Sequence, residues 1–213
     1  MPEASDFPAN VFLLNPPYSA DGKGFVFVEK ALSKMKTGYA AILIQENAGN
    51  GQGLPYTKNL LENNTLLASI KMPAKLFIGK SSVQTAIYLF EVGRQHDPNS
   101  LVKFIDFTED GYSRQNRRKS GLNVNLKDIT ANERYPELCD IVLGKKKKTH
   151  YLDDCVVEDT IRTSGDKCGK DWTYGQHRKT DTMPTEADFK KTVADYLSWK
   201  VSTLLKKETQ DFH

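Results

Sequence analysis

The apolar positions of the first hundred residues follow two rhythms. Val11-Phe12-Leu13-Leu14, closed by Asn15-Pro16-Pro17, and residues 39–44 (YAAILI) are short unbroken runs with the length and abrupt ends of buried strands. Between them, residues 24–36 place Phe25, Val28, Leu32 and Met35 at helical spacing, with Lys34 and Lys36 in the last turn and Gly38 as a stop. Residues 54–64 (LPYTKNLLENN) predict a second helix, with Pro55 near its start. Residues 66–72, 83–92 and, more weakly, 102–107 predict three further strands. Strand and helix in alternation give a parallel sheet with right-handed crossovers. The link from 66–72 to 83–92 is too short for a full helical crossover, so one strand is expected to run antiparallel.

The pattern then weakens. Residues 111–180 are polar and broken by Gly111, Gly121, Gly144, Gly165, Gly169 and Gly175, and are expected to be irregular. Thr185, with Asp188 three residues on, is a capping-box-like helix start. Phe189, Val193, Tyr196, Leu197, Val201, Leu204 and Leu205 then share one face of a helix of about twenty residues. Its spacing suits docking on its own domain and holding a partner equally. The expected division is 1–110, an irregular basic region at 111–180, and an amphipathic helix within 181–213.

Composition narrows the classes. At roughly 100–200 residues per domain, 213 residues make one domain with an appendage, or two small ones. Hydrophobic residues are 38% of the chain, enough for a core and too many for wholesale disorder. No apolar run approaches the roughly 18 residues of a membrane span, and residues 1–10 carry no secretory signal pattern. Three widely spaced cysteines, Cys139, Cys155 and Cys168, suggest a reducing cytoplasm. With His150 and His177 they lack the short ligand spacings of zinc sites, so no metal centre is expected. The net charge of +3 announces no nucleic-acid protein, but residues 114–119 (RQNRRK) and 145–148 (KKKK) are local basic clusters able to meet phosphates or simply to face solvent.

The sharpest chemistry is Asn15-Pro16-Pro17-Tyr18 at a strand end. The prolines fix φ and remove two backbone donors, leaving the carbonyls of Asn15 and Pro16 as acceptors beside the Asn15 amide. Tyr18 adds an aromatic plate. A stiff set of acceptors next to a ring suits a planar group bearing an –NH₂. The C-terminal end of a strand is where open α/β sheets bind ligands.

This tetrapeptide after a hydrophobic strand resembles the catalytic motif of S-adenosylmethionine-dependent amino-methyltransferases acting on adenine in DNA. The likeness continues through FVFVEKALSKMKTG, YAAILIQENAGNGQG, LPYTKNLLENN, LLASIKMPAKLFIGKSSVQTAIYLFEVG and VKFIDF. Over residues 8–145 the run is similar to the catalytic half of modification subunits of type I restriction systems, and 171–208 resemble the tail of such enzymes. The resemblance implies a target adenine flipped from the duplex. Asn15 and the Pro16 carbonyl would accept the exocyclic amine hydrogens, Pro17 would stiffen the turn, and Tyr18 would stack on the base. It also implies that Phe77, Lys80 and Ser82 lie near the base. Arg114, Arg117, Arg118, Lys145, Lys146, Lys147 and Lys148 then become candidate contacts to the DNA backbone.

The family's Gly-rich cofactor loop, of the type (Asp/Glu/Ala)-x-(Phe/Ala/Cys)-x-Gly-x-Gly, has no counterpart before Val11 or after it. The expectation is a partial Rossmann-like methyltransferase sheet: a piece of a longer enzyme, a split gene product or a degenerate reading frame. It should bind S-adenosylmethionine weakly or not at all by itself. Its Asn15 strand should be an exposed apolar edge that self-associates or is completed by a partner. The expected partners are DNA, an N-terminal methyltransferase half and a specificity subunit. Two alternatives stand beside the DNA adenine-N6 methyltransferase: an enzyme on another planar amine, such as a protein glutamine or an RNA base, and a non-catalytic interaction module of a restriction complex.

Overall fold

The computed structural model describes residues 9–74, 76–77, 83–117, 121–126, 130–145, 150–152, 154–178 and 185–210; for 115–117, 121–126, 187–188 and 203–210 it describes the backbone alone. Residues 1–178 and 179–213 form two compact units.

The first unit is built on a six-stranded sheet. β1 (Val11–Leu14) ends where Pro16 and Pro17 can donate nothing to a ladder. The chain returns through α1 (Phe25–Leu32) to β2 (Gly38–Gln45), which lies parallel to β1 with Leu14 level with Ile42. α2 (Tyr56–Asn63) leads into β3 (Asn64–Lys71), and β4 (Thr85–Val92) inserts antiparallel between β2 and β3. This is the reversed strand that the short link required. β5 (Val102–Asp106) runs parallel to β3. β8 (Val156–Asp159) adds a second reversed strand at the far edge. The order across the sheet is β1-β2-β4-β3-β5-β8.

Alternation along the strands sorts side chains onto two faces. Ala40, Ile42, Ile44, Tyr88, Phe90 and Phe104 bury themselves against Phe25, Val28 and Leu32 of α1 and Leu60 and Leu61 of α2. Trp172 closes this core, its ring centroid 5.8 Å from Phe25 and 5.7 Å from both Tyr88 and Phe90. The opposite face is covered over β3 and β5, where Leu138 and Ile141 of α3 (Ala131–Val142) pack with Ala68, Ile70, Ile105 and Phe107. Toward β1 that face is open: Val11 and Leu13 are 64% and 74% exposed.

The described residues of 111–180, a stretch expected to be irregular, include regular elements. It holds the β6 (Tyr112–Arg117) and β7 (Gly121–Leu126) hairpin, α3, β8 and the four-residue α4 (Tyr174–His177). The hairpin strands, YSRQNR and GLNVNL, are too polar to stand out as apolar runs. In the second unit α5 (Glu186–Gln210) is longer than its apolar stripe suggested, and Phe189, Tyr196, Leu197 and Val201 on that stripe are exposed. No helix among the described residues is long and apolar enough to cross a membrane.

Candidate active site

β1, β2, β3 and β5 share one direction, so their C-terminal ends share one rim of the sheet. Asn15 stands on that rim directly after β1. Its side chain is exposed, and it borders a shallow cleft of about 310 Å³ floored by Leu13, Leu14, Ala41, Leu43 and Ile87. Among the described residues no hydrogen bond uses the Asn15 amide or the Pro16 carbonyl. Among the described residues, then, the backbone does not consume the acceptors that the motif offers.

The turn beyond them is held from both sides. Pro16 is buried and Pro17 exposed, and the Pro17 carbonyl accepts from the Ala20 N–H at 3.1 Å. Gly24, with φ +105°, lies so close that a Cβ there would stand 2.9 Å from Cβ and Cγ of Pro16. The start of α1 thus rests on the proline ring through a glycine.

Tyr18 is half-buried and meets Phe77 edge-on, with centroids 6.4 Å apart and planes at 74°. Burial raises the phenol's pKa, and its hydroxyl is buried without a hydrogen-bond partner among the described residues. Two rings predicted to approach one base are therefore brought together. Lys80 and Ser82, predicted alongside Phe77, lie outside the described residues.

The rim carries charges that sequence reasoning did not single out. Glu46 follows β2, Lys71 ends β3 and Asp106 ends β5. Burial lifts the Glu46 carboxyl above its ordinary range; the Lys71 ammonium pulls it back and Asp106 pushes it further up. A polar residue placed directly after each apolar run was the available signal.

The basic residues separate. Arg114, expected to meet a DNA phosphate, is instead committed to Asp110 by a two-point ion pair, with the two side chains 8% and 1% exposed. The Asp110 carboxylate also accepts from the Tyr112 N–H at 3.1 Å and the Tyr135 hydroxyl at 2.8 Å. Burial alone would raise the Asp110 pKa, but the donors from Arg114, Tyr112 and Tyr135 hold it below the usual value. The Tyr135 phenol, buried and hydrogen-bonded to the carboxylate, is pushed up to about 12. A guanidinium held this way is internal structure. Lys145 is exposed just beyond α3, its N–H donating to the Asp140 carbonyl at 2.8 Å. Arg117 is described in backbone alone, and Arg118, Lys146, Lys147 and Lys148 lie outside the described residues. Among the described residues no cluster of three or more His, Cys, Asp or Glu is placed to hold a metal.

Comparison with known proteins places this geometry in context. The family model described as N-6 DNA Methylase matches residues 6–163. RM.BcgI of Heyndrickxia coagulans, a type II restriction enzyme and methyltransferase, is 27% identical over 202 residues, covering 90% of this chain and 30% of that protein. Among solved structures, a chain of a type I R-M system superposes with a TM-score of 0.53 at 13% identity, covering 92% of this chain and 44% of the other. The type I restriction-modification system methyltransferase subunit from Streptococcus thermophilus gives 0.50 at 15% identity, covering 75% and 36%. These two share the fold. The chain spans under half the length of each of the three.

Proposed function

The chain belongs to the N-6 DNA methylase family, and from that membership we propose that it is the catalytic portion of a DNA adenine-N6 methyltransferase of a restriction-modification system. The observation that carries the reading is Asn15: exposed at the exit of β1, with no hydrogen bond to its amide or to the Pro16 carbonyl among the described residues, beside the Tyr18–Phe77 pair.

The roles follow from what each group can do. A flipped adenine presents an exocyclic amine with two hydrogens and a flat face. The Asn15 side-chain oxygen and the Pro16 carbonyl accept those hydrogens. Accepting both would concentrate the nitrogen lone pair out of the ring plane, poised to displace a neutral thioether from a sulfonium methyl carbon, after which the methylated nitrogen would release its extra proton to solvent. Tyr18 stacks on the base, and Phe77 sets the angle of the tyrosine ring. The amine becomes acidic only once methylated, so no strong base is required before the attack.

S-adenosylmethionine is the methyl donor, and when bound it supplies the electrophilic methyl group. The described glycines near the sheet do not form its cradle. A Cβ on Gly49 would stand 2.2 Å from the Tyr88 hydroxyl, and one on Gly53 would stand 2.6 Å from the Ala48 carbonyl. Both are packing positions. The grip on the cofactor is assigned to a segment that pairs with β1 and covers Val11 and Leu13, the N-terminal methyltransferase half of the family. Left uncovered, the same edge favours self-association. A specificity subunit is the partner proposed for the apolar stripe of α5 that carries Phe189, Tyr196 and Leu197.

The test is methyl transfer to duplex DNA, read as N6-methyladenine after digestion. The chain is assayed alone and with the family's N-terminal half supplied in trans. Activity that appears on complementation and is lost in Asn15→Ala supports the proposal. Complemented protein that labels no adenine, or labels it equally with Asn15→Ala, overturns it.

A further inference from the structure

A second polar site lies at the other side of the sheet from Asn15. It is a cleft of about 500 Å³ beside β8 and α4, bordered by three cations, Arg162, Lys167 and Lys170. All three are exposed, and among the described residues no hydrogen bond or ion pair engages the guanidinium of Arg162 or the ammonium groups of Lys167 and Lys170.

These cations sit on an anchored loop. The Arg162 N–H donates to Asp171 Oδ2 at 2.8 Å. The Cys168 N–H reaches the Gly165 carbonyl at 3.2 Å and the Lys170 N–H reaches that of Lys167 at 3.1 Å. The Gly169 carbonyl accepts from Thr57 Oγ1 at 2.9 Å, and the Lys170 carbonyl accepts from Gln176 Nε2 at 2.8 Å. Cys168 and Trp172 are buried within the loop, and the Trp172 N–H donates to the Gly49 carbonyl at 3.0 Å. A ligand would therefore meet charges whose backbone is already ordered, which lowers the entropy cost of binding.

The acids bordering the cleft each hold bonds of their own, with Asp171 half-buried and the Asp159 side chain 52% exposed. Asp159 accepts from the Thr160 N–H at 2.8 Å through one oxygen and lies 2.8 Å from His177 Nδ1 through the other. His177 is fixed in turn by the Asp171 carbonyl, 2.7 Å from Nε2, and by stacking on Phe104 at 3.7 Å. Asp171 is bonded through one oxygen to the Arg162 backbone and keeps the other buried without a partner among the described residues. Asp159 and Asp171 both attract the Arg162 guanidinium, but three cations against two carboxylates leave a positive balance, carried by Lys167 and Lys170, that suits an anion. The exposed Asn50 and Thr160 on its border add neutral donors.

We propose that this cleft binds a phosphate group, supplied by the backbone of duplex DNA, through Arg162, Lys167 and Lys170. The choice of DNA as the source rests on the methyltransferase reading; the phosphate chemistry does not. The site is separate from the Asn15 rim: β8 lies at the opposite edge of the sheet from β1, and its Asp159 end is level with Val102 at the start of β5. A phosphate contact there is sequence-independent.

The test compares the full chain with the triple variant Arg162→Gln, Lys167→Gln, Lys170→Gln. Binding of a 20-base-pair duplex is followed by fluorescence anisotropy across a salt series. A control, Lys30→Gln with Lys34→Gln, removes two exposed charges from the α1 region. The expected result is at least a tenfold loss of affinity in the triple variant, with a shallower salt dependence and the same loss for unrelated sequences, while the control stays within twofold of the parent. Equal affinity in the triple variant and the parent, or an equal loss in the control, overturns the site. Titration with inorganic phosphate separates the sources. Phosphate that binds the parent and releases its duplex, but does not bind the triple variant, supports the DNA-backbone assignment. Phosphate binding by a chain that holds no duplex overturns DNA as the source. Methylation is scored by product, as above, so loss of the cleft and failure of the methyltransferase reading give different results.

Discussion

Gly24 and Pro16 touch so closely that the backbone of one shapes the ring position of the other: a Cβ on Gly24 would lie 2.9 Å from two ring carbons of Pro16 and 3.1 Å from the Pro17 carbonyl. Gly24 also sits at φ +105°, where an L side chain is strained whatever the space around it. Gly24→Ala therefore pushes on the turn that carries the acceptors. The expected cost is about 1–3 kcal/mol in folding stability, read as a lower urea midpoint. Methyl transfer should fall by more than the loss of folded protein accounts for. Gly165 provides the comparison: it too has a positive φ, but a Cβ there would meet nothing within 4 Å. Gly165→Ala should show backbone strain while leaving the Asn15 turn untouched, so at saturating duplex its methyl transfer should track the folded fraction.

Tyr18 separates ring from hydroxyl. The ring meets Phe77 edge-on, whereas the hydroxyl is buried without a partner among the described residues. Tyr18→Phe keeps the plate and removes a polar atom that gains nothing from its surroundings. It should leave stability unchanged or slightly higher and retain binding of a flipped base. Tyr18→Ala removes the plate and should weaken binding of a duplex with an unpaired target adenine by about 1–3 kcal/mol, the range for stacking one base on an aromatic side chain. Fluorescence titration with 2-aminopurine at the target position reads both variants.

These two predictions rest on parts of the molecule that the sequence makes legible, and the reason is local. The run Val11–Leu14 ends at two prolines, and the helical spacing of Phe25, Val28 and Leu32 needs no distant partner to be recognised. The short link before Thr85 likewise forces the reversal of β4 by length alone. Residues whose roles depend on distant partners are not legible in this way. Trp172 closes the main core from a polar stretch, because Phe25, Tyr88 and Phe90 converge on it from other elements. β8 is four residues long and half acidic, and it becomes a strand because β5 offers it an edge. Arg114 sits in a basic run and looks solvent-facing until Asp110 and Tyr135 are seen around it.

That pair gives a prediction opposite to the one its charge suggests. Arg114→Ala leaves the Asp110 carboxylate buried and without its principal partner, at an expected cost of about 3–5 kcal/mol. Asp110→Asn with Arg114→Gln removes both charges together and should cost less than Arg114→Ala alone. Urea denaturation of the three proteins measures the difference. The folded Asp110 pKa lies below its unfolded value, so the stability it contributes is present above pH 3.8 and is lost as pH falls through the folded value. Lys145→Gln, at an exposed site, should do the reverse: little change in the urea midpoint and a modest loss of duplex affinity at low salt. If Arg114→Ala proved as stable as the parent but weaker in DNA binding, the guanidinium would belong to the interface after all.

His96 sets a second, higher window of pH sensitivity. The side chain is 2% exposed, and neither ring nitrogen has a hydrogen-bond partner among the described residues. Burial lowers its pKa, opposed in part by the nearby Asp97 carboxylate. The neutral imidazole is thus the form the fold accepts. The sign follows: the unfolded chain takes up a proton near pH 6.5, whereas the folded chain resists until a lower pH. Its contribution to stability is complete above pH 6.5 and is lost as pH falls through the folded value. Because its backbone N–H donates to the Leu61 carbonyl at 3.0 Å, the ring is held where α2 gives way to β3, and protonation should loosen that junction first. Urea midpoints measured between about pH 8 and pH 5 should decline for the parent. His96→Gln cannot take up the proton, so its midpoints should decline less over the same interval. Parallel curves for the two proteins would place the pH sensitivity elsewhere.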